Sequence, residues 1–273
     1  MIEERTPAIV LRTRVYGDSD KIVTFLTPDW GKITGIAKGA KRSQRRFVNV
    51  LEPFTHTQLR FRPSRQDELA FILGCDLIRT FRAPSRDLQR YGFASYLVEL
   101  IDVMISGQEA GTETFQLLLH GLMVLENVVE LPLFFLSAYE ILLLAHTGYA
   151  PNVEDCQQCG QSLVLPFVRP GSPPDYVVAF SPSLGGILCQ NCCRMGGATI
   201  MLSQDSLRLL QDPKHQDIEQ FLLTSASRQT CKELHAVATG VLARHVTRPL
   251  KARAFLEQAG LLADSRVDGP AGE

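Results

Sequence analysis

No lysine or arginine occurs between Tyr91 and Val168, a stretch that holds nine acids: Glu99, Asp102, Glu109, Glu113, Glu126, Glu130, Glu140, Glu154 and Asp155. A surface of that sign repels nucleic acid and suits a protein partner, and a plain solvated helical face fits it as well. Catalytic motifs are missing too. Gly31, Gly35 and Gly39 do not have the spacing of a Walker loop, and neither H-E-x-x-H nor G-x-S-x-G occurs. His56, His120, His146, His215, His235 and His245 are scattered as structural or surface histidines are. No catalytic residue is assigned and the chain reads as a non-enzyme. The longest apolar run, Leu131 to Ala145, has 15 residues, contains Glu140 and is too short to span a bilayer, so it reads as a buried helix. The opening M-I-E-E-R-T-P lacks an apolar h-region, so a cytoplasmic protein is expected.

What is present divides the chain. With 273 residues, 45% hydrophobic and 21% charged, there is material for about two domains with ordinary cores. The net charge of −1 conceals an asymmetry: Met1 to Thr80 has 14 Lys+Arg against 9 Asp+Glu, and the remainder 14 against 20. The densest positive run is K-G-A-K-R-S-Q-R-R, where Lys38, Lys41, Arg42, Arg45 and Arg46 fall within nine positions free of acids. Such cations repel one another, and a phosphate backbone is the ligand that suits them; a merely solvated basic loop is the alternative. Gly35 and Gly39 fit a loop whose main chain approaches a ligand closely.

The first 80 residues read as five short strands: Ala8 to Tyr16, Lys21 to Thr27, Lys32 to Ala37, Pro53 to Phe61 and Leu69 to Leu77. Five strands with basic connections predict a small barrel, an OB-fold or its near look-alike, an SH3-like barrel. Arg12 and Arg14 add cations to one strand face. Trp30, Phe47 and Phe61 are either core residues or platforms for stacking bases. After Pro84 the apolar spacing turns helical, over Arg86 to Ile105, Thr112 to Asn127 and Pro132 to His146, and later over Ser203 to Leu210, Ile218 to Leu223 and Arg228 to His245.

Seven cysteines include two C-x-x-C pairs, Cys156 with Cys159 and Cys189 with Cys192, separated by 29 residues. Two such turns supply four thiolates to one tetrahedral ion, which predicts one structural zinc with no open coordination position; a redox C-x-x-C is the alternative. Tyr176 to Phe180 reads as a strand that, with Pro182-Ser183 and Gly185-Gly186, folds the pairs together. Cys193 is a spare thiol, and Cys75 and Cys231 read as small buried residues. Arg244, Arg248, Lys251 and Arg253 form a second basic cluster, suited either to a helix C-terminus or to an anionic partner.

Four segments in order, G-D-S-D-K-I-V-T-F-L-T with G-K-I-T-G-I-A-K-G-A-K-R-S, L-L-L-A-H-T-G-Y-A-P-N, F-S-P-S-L-G-G-I-L-C-Q-N-C and R-P-L-K-A-R-A-F-L, resemble the RecO family of bacterial recombination mediators. The resemblance implies an α+β multidomain chain: an N-terminal OB-fold barrel over 1–80, an all-α helical domain over 81–150 and 200–260, an inserted four-cysteine zinc-binding segment over 151–199 and a polar tail over 261–273. It implies a nucleoid-associated protein of the RecF pathway that binds single- and double-stranded DNA and anneals strands. With RecR, such a protein helps RecA displace single-strand-binding protein. Carried over, Lys38, Lys41, Arg42, Arg45 and Arg46 match the DNA-binding loop and Cys156, Cys159, Cys189 and Cys192 the metal ligands. The chain departs from the family in having no helical-domain cations between Tyr91 and Val168 to dock the acidic tail of single-strand-binding protein. An RNA-binding or translation-associated zinc protein is the competing reading.

Overall fold

The computed structural model describes residues 2–64, 69–107, 111–163, 178–194, 197–211 and 213–262. The alternating N-terminal sequence forms β1 (Glu4–Tyr16), β2 (Asp20–Thr27), β3 (Gly31–Ala37), β4 (His56–Arg62) and β5 (Ala70–Arg79). They close into a barrel in the order β1-β2-β3-β5-β4, with β4 pairing back on β1. This is an OB-fold. All neighbours are antiparallel except β3 and β5, which meet in a short parallel pairing at Gly35 with Ala70 and Ile36 with Phe71. β1 serves two partners, Glu4 to Ile9 on β4 and Ile9 to Tyr16 on β2, and a bulge between Val10 and Arg12 bends it between them.

Gly35 is spent on this closure rather than on a ligand. A methyl group there would meet the Ala70 carbonyl oxygen at 2.7 Å and the Ile72 side chain closer still, so only glycine lets β3 and β5 approach. The barrel interior holds Ala8, Val10, Val23, Phe25, Leu59, Phe61 and Ile72, and it is plugged by Ala40, Phe47, Val50 and Leu51 from the β3–β4 connection. Cys75 belongs to this core, and burial pushes its thiol up to about 12.

The helical spacing produces α1 (Ala83–Arg86), α2 (Leu88–Met104) and α3 (Thr112–Asn127). The Asp87 carboxylate caps α2 by accepting from the Arg90 amide at 2.8 Å. The Arg90 guanidinium donates to the carbonyls of Leu125 and Val128, covering the end of α3 where a cation is favoured. α4 (Phe135–His146) starts later than Pro132, because Pro132 to Phe135 is a turn closed by the Phe135 amide on the Pro132 carbonyl. Ten of its twelve residues are buried, as the long apolar run predicts.

β6 (Val178–Ser181), β7 (Gly186–Leu188) and α5 (Gln190–Cys193) follow, then β8 (Ile200–Leu202), whose three residues completed no period in the sequence. They form a sheet in the order β7-β6-β8. Tyr176 and Val177, expected in the first of these strands, lie outside the described residues. α6 (Gln204–Leu210), α7 (Ile218–Leu222) and α8 (Arg228–His245) complete this region, and α9 (Lys251–Gln258) is the last element among the described residues. Ser203 and Ser227 cap α6 and α8 as their positions predict. Buried Glu233 of α8 strengthens the first cap by accepting from the Ser203 amide, the Ser203 hydroxyl and the Ser206 hydroxyl at 2.6 to 2.8 Å. Cys231 is half-buried rather than enclosed.

The chain divides into two compact units, Met1–Val128 with Leu250–Glu273, and Val129–Pro249. In the first, α9 packs on α2, with Leu256 and Phe255 against Gly92. Among the described residues no helix is long and apolar enough to cross a membrane.

Gly35→Ala tests the closure. Overpacking at a rigid backbone contact costs about 1–3 kcal/mol, so the urea midpoint is expected to fall by the corresponding amount, and an unchanged midpoint would show that β3 and β5 do not meet this closely.

Candidate functional site: a basic loop and a four-cysteine cluster

The loop after β3 has a backbone fastened at both ends and charged side chains that point to solvent. Gly39 takes φ +69°, a left-handed conformation that a residue with a Cβ resists, and its amide donates to the Asp20 carboxylate at 2.8 Å. The Lys41 amide donates to the Ser19 carbonyl at 2.9 Å, and the Lys41 ammonium reaches the carbonyls of Gly17 and Asp18 at 3.2 and 3.4 Å. Further on, the Cys75 amide donates to the Arg46 carbonyl, and Thr13 donates its hydroxyl to the Leu51 carbonyl. Buried Phe47, Val50 and Leu51 anchor this far side in the barrel core.

All five loop cations are exposed, but they are not equivalent. Lys38 lies over the Phe71 ring. Arg46 bonds the Lys38 carbonyl at 3.0 Å and covers Phe47, so it shapes the loop as well as charging it. The guanidinium groups of Arg42 and Arg45 have no hydrogen-bond or ion-pair partner among the described residues, and neither has that of Arg14 on β1. Arg12 lies 3.9 Å from Asp102, which also accepts from Lys32 at 3.3 Å. The structure therefore brings Lys38, Lys41, Arg42, Arg45 and Arg46 to one loop beside the β1–β2 turn.

Of the aromatic residues read as either core or stacking platform, Phe47 and Phe61 are core residues, and Trp30 packs partly buried on Phe61 edge to face at 5.5 Å. Among the described residues of the barrel the exposed ring is Tyr16, at the end of β1 and next to the turn that binds Lys41. Apolar content cannot reveal it, because it marks rings that are buried and rings that are displayed alike.

The second basic cluster is divided. Arg244 stands in the last turn of α8, beside Gly185, and Arg248 follows that helix. Lys251 and Arg253 lie on α9 in the other unit, with Arg253 paired to Glu257 at 3.0 Å.

In the acidic stretch, three of the nine carboxylates have specific internal duties. Glu99 accepts from the Ala252 amide at 2.7 Å and so caps α9, whose own N-cap is Leu250. Glu126 accepts from the Ala83 amide at the start of α1 at 2.7 Å, and Asp102 holds Lys32 and Arg12. Anions at helix N-termini are favoured by the exposed amides and the dipole.

The cysteines are assembled by backbone pairing. β6 and β7 form a hairpin, Asn152 bridges to Gly186, and the Gln157 amide donates to the Ile187 carbonyl at 2.9 Å. Gly186 is required there, since a Cβ would meet the Asn152 carbonyl at 2.7 Å. The result places the Sγ atoms of Cys156, Cys159, Cys189 and Cys192 within 4.8 Å of one another, with Cys159 and Cys189 3.8 Å apart. A tetrahedral ion with sulfur ligands at about 2.3 Å has edges of about 3.8 Å, so the donors fit such a site. Left to themselves the sulfurs cannot all ionise: the Cys189 sulfur, burial and the other thiols push Cys192 up to about 12. A divalent cation removes that conflict. Cys193 packs against the group without joining it.

The family model described as Recombination protein O N terminal matches residues 1–81, and the one described as Recombination protein O C terminal matches residues 85–254. The chain belongs to the RecO family. It is 32% identical over 256 residues to the DNA repair protein RecO of Syntrophus aciditrophicus, covering 93% of this chain and 95% of that one. With the DNA repair protein RecO of Geobacter metallireducens it shares 33% identity over 258 residues, 94% and 98% of the two chains. The two RecO family models meet at α1, and the second ends within α9.

Asp20 provides a pH test of the loop. The Gly39 amide, then the Ser19 hydroxyl and Lys38, hold its carboxyl below the ordinary 3.8. A depressed folded value means the anchor contributes fully above the ordinary carboxylate range and is lost as pH falls through the lower folded value. Carboxyl NMR is expected to show Asp20 titrating below 3.8, with the Gly39 amide shift following the same curve; an ordinary titration would show that the anchor does not form.

Proposed function

We propose that this chain is a non-catalytic mediator of recombinational DNA repair that binds single- and double-stranded DNA through Arg12, Arg14 and the Lys38 to Arg46 loop. The observation that carries this reading is the set of exposed guanidinium groups of Arg14, Arg42 and Arg45, unpartnered among the described residues, beside a loop backbone that is already fixed. Fixing the backbone in advance lowers the ordering cost of binding, and guanidinium forks suit phosphate oxygens. Such contacts read backbone rather than bases, so binding has little sequence preference and weakens steeply with salt. Strands held by partly neutralised phosphates keep their bases free to pair, which is the physical basis for annealing.

RecR, RecA, RecF and single-strand-binding protein enter as the partners that family membership suggests. Lys251 and Arg253 of α9, packed on α2, are the cations we assign to an acidic tail in place of those missing from the helical stretch itself. Arg244 and Arg248 remain a separate candidate for an anionic contact. A cytoplasmic, nucleoid-associated location follows from DNA binding.

We assign zinc to Cys156, Cys159, Cys189 and Cys192. When bound it supplies cross-linking rather than chemistry, because four thiolates leave no position for water. The backbone bonds of Asn152 and Gln157 hold the β6–β7 hairpin to the 152–159 segment, and the cysteines would add the cross-link through the ion.

Two measurements test these assignments. Fluorescence anisotropy with labelled single-stranded DNA across a salt series is expected to show the slope of log K against log salt flattening by roughly 1.4 for Arg42→Ala with Arg45→Ala, at about 0.7 per lost phosphate contact. An unchanged slope in a folded variant would remove the loop from the DNA site. Metal analysis of purified protein is expected to find about one zinc per chain, lost in Cys189→Ala, with a lower melting temperature for the metal-free protein; protein that folds equally well after the metal is stripped would contradict a structural role.

A further inference from the structure

The end of β1 carries a pattern that phosphate binding alone does not use. Beyond the bulge at Val10 and Arg12, β1 pairs only with β2, and Arg12, Arg14 and Tyr16 alternate along it. Thr13, between them, turns inward and donates its hydroxyl to the Leu51 carbonyl, which fixes the inner face of this segment. Arg12, Arg14 and Tyr16 therefore share the opposite face, about 7 Å apart in succession. Tyr16 is 54% exposed, and among the described residues of the barrel it is the one exposed aromatic side chain. Its neighbours in the turn, Gly17 and Asp18, offer their carbonyls to the Lys41 ammonium, so the ring stands where the strand cations and the loop cations meet.

Resting on the DNA-binding reading above, we propose that Tyr16 is a base-stacking platform that makes this face prefer single strands over duplex. The cations on either side hold the backbone, and the ring offers its face to one unpaired base. In a duplex both faces of each base are covered by neighbouring pairs, so the ring gains nothing there unless a base is unstacked. Stacking on an aromatic side chain is tolerant of sequence, which agrees with a site built from phosphate contacts. It releases no counterions, so it adds affinity without adding salt dependence. Preference for unpaired bases thus has a separate origin from affinity for phosphate.

The test compares Tyr16→Ala and Tyr16→Phe with the unaltered chain on three probes of equal length: a single strand, its duplex, and a single strand of abasic sites. Tyr16→Ala is expected to lose at least about fivefold in affinity for the ordinary single strand, the lower end of what one stacked base contributes. Its salt slope and its duplex affinity stay unchanged. Tyr16→Phe keeps single-strand affinity, and the abasic strand binds the unaltered chain and Tyr16→Ala equally. A half-exposed side chain at the end of β1 is not needed for folding, and an unchanged melting temperature checks this. Equal losses on single strand and duplex, or no loss on either, overturn the stacking role. If the Arg42 and Arg45 substitutions flatten the salt slope in the same experiment, the phosphate-binding face survives that result. If they leave it unchanged as well, the DNA-binding face has failed and the stacking role with it.

Discussion

Five like charges within nine residues push apart, and in this fold their repulsion is resisted by the loop backbone rather than neutralised at the side chains. One carboxylate, Asp20, takes the Gly39 amide. The carbonyls of Gly17, Asp18 and Ser19 take the ammonium and amide of Lys41. Phe47, Val50 and Leu51 sink into the barrel and hold the far side. Asp20 is first an anchor, its largest interaction being the Gly39 amide, and only Lys38 of the five cations adds to holding it ionised. The guanidinium groups of Arg42 and Arg45 are left to solvent. A loop held in this way meets an anion with its charges in place, and little conformational entropy remains to be lost.

The barrel makes that arrangement possible. Gly35 permits the close parallel crossing of β3 and β5 that completes the ring. Within the closed ring the β1–β2 turn and the β3–β4 connection lie side by side, and the bulge in β1 directs its outer half along the same region. The acidic stretch that follows is a second expression of the same economy of charge. Glu99 and Glu126 sit at helix N-termini that have no cap of their own, and Asp102 receives cations from the barrel. These three acids are used inside their unit, which accounts for part of the negative charge of the segment.

Much of this was legible in the sequence, for identifiable reasons. Strands and helices with a clear period, such as β2, α3 and α8, are found within a residue or so, because the period itself reports the buried face. The cysteine spacing foretold the four-sulfur cluster, since two C-x-x-C turns have few other uses. Less was legible where long-range geometry decides. Gly35 looked like a loop glycine for a ligand, although its reason is Ala70, thirty-five residues away. Phe47 and Phe61 are core residues, as large apolar side chains usually are, but the same rule hides the exposed Tyr16. Arg244 and Lys251 looked like one cluster, yet they belong to different compact units. Glu99 as the cap of α9 joins residues 153 positions apart, beyond the reach of any local signal.

Amide hydrogen exchange with and without a short single-stranded DNA is the most direct test of a preformed nucleic-acid face. The expected result is slow exchange at Gly39 and Lys41 in the free protein, from the hydrogen bonds that fix the loop, with DNA adding protection over residues 12–20 and 38–47. Fast exchange at Gly39 and Lys41 without DNA would mean that the loop is not held in advance. Protection confined to Val129–Pro249 would place the DNA on the other unit and contradict the assignment outright.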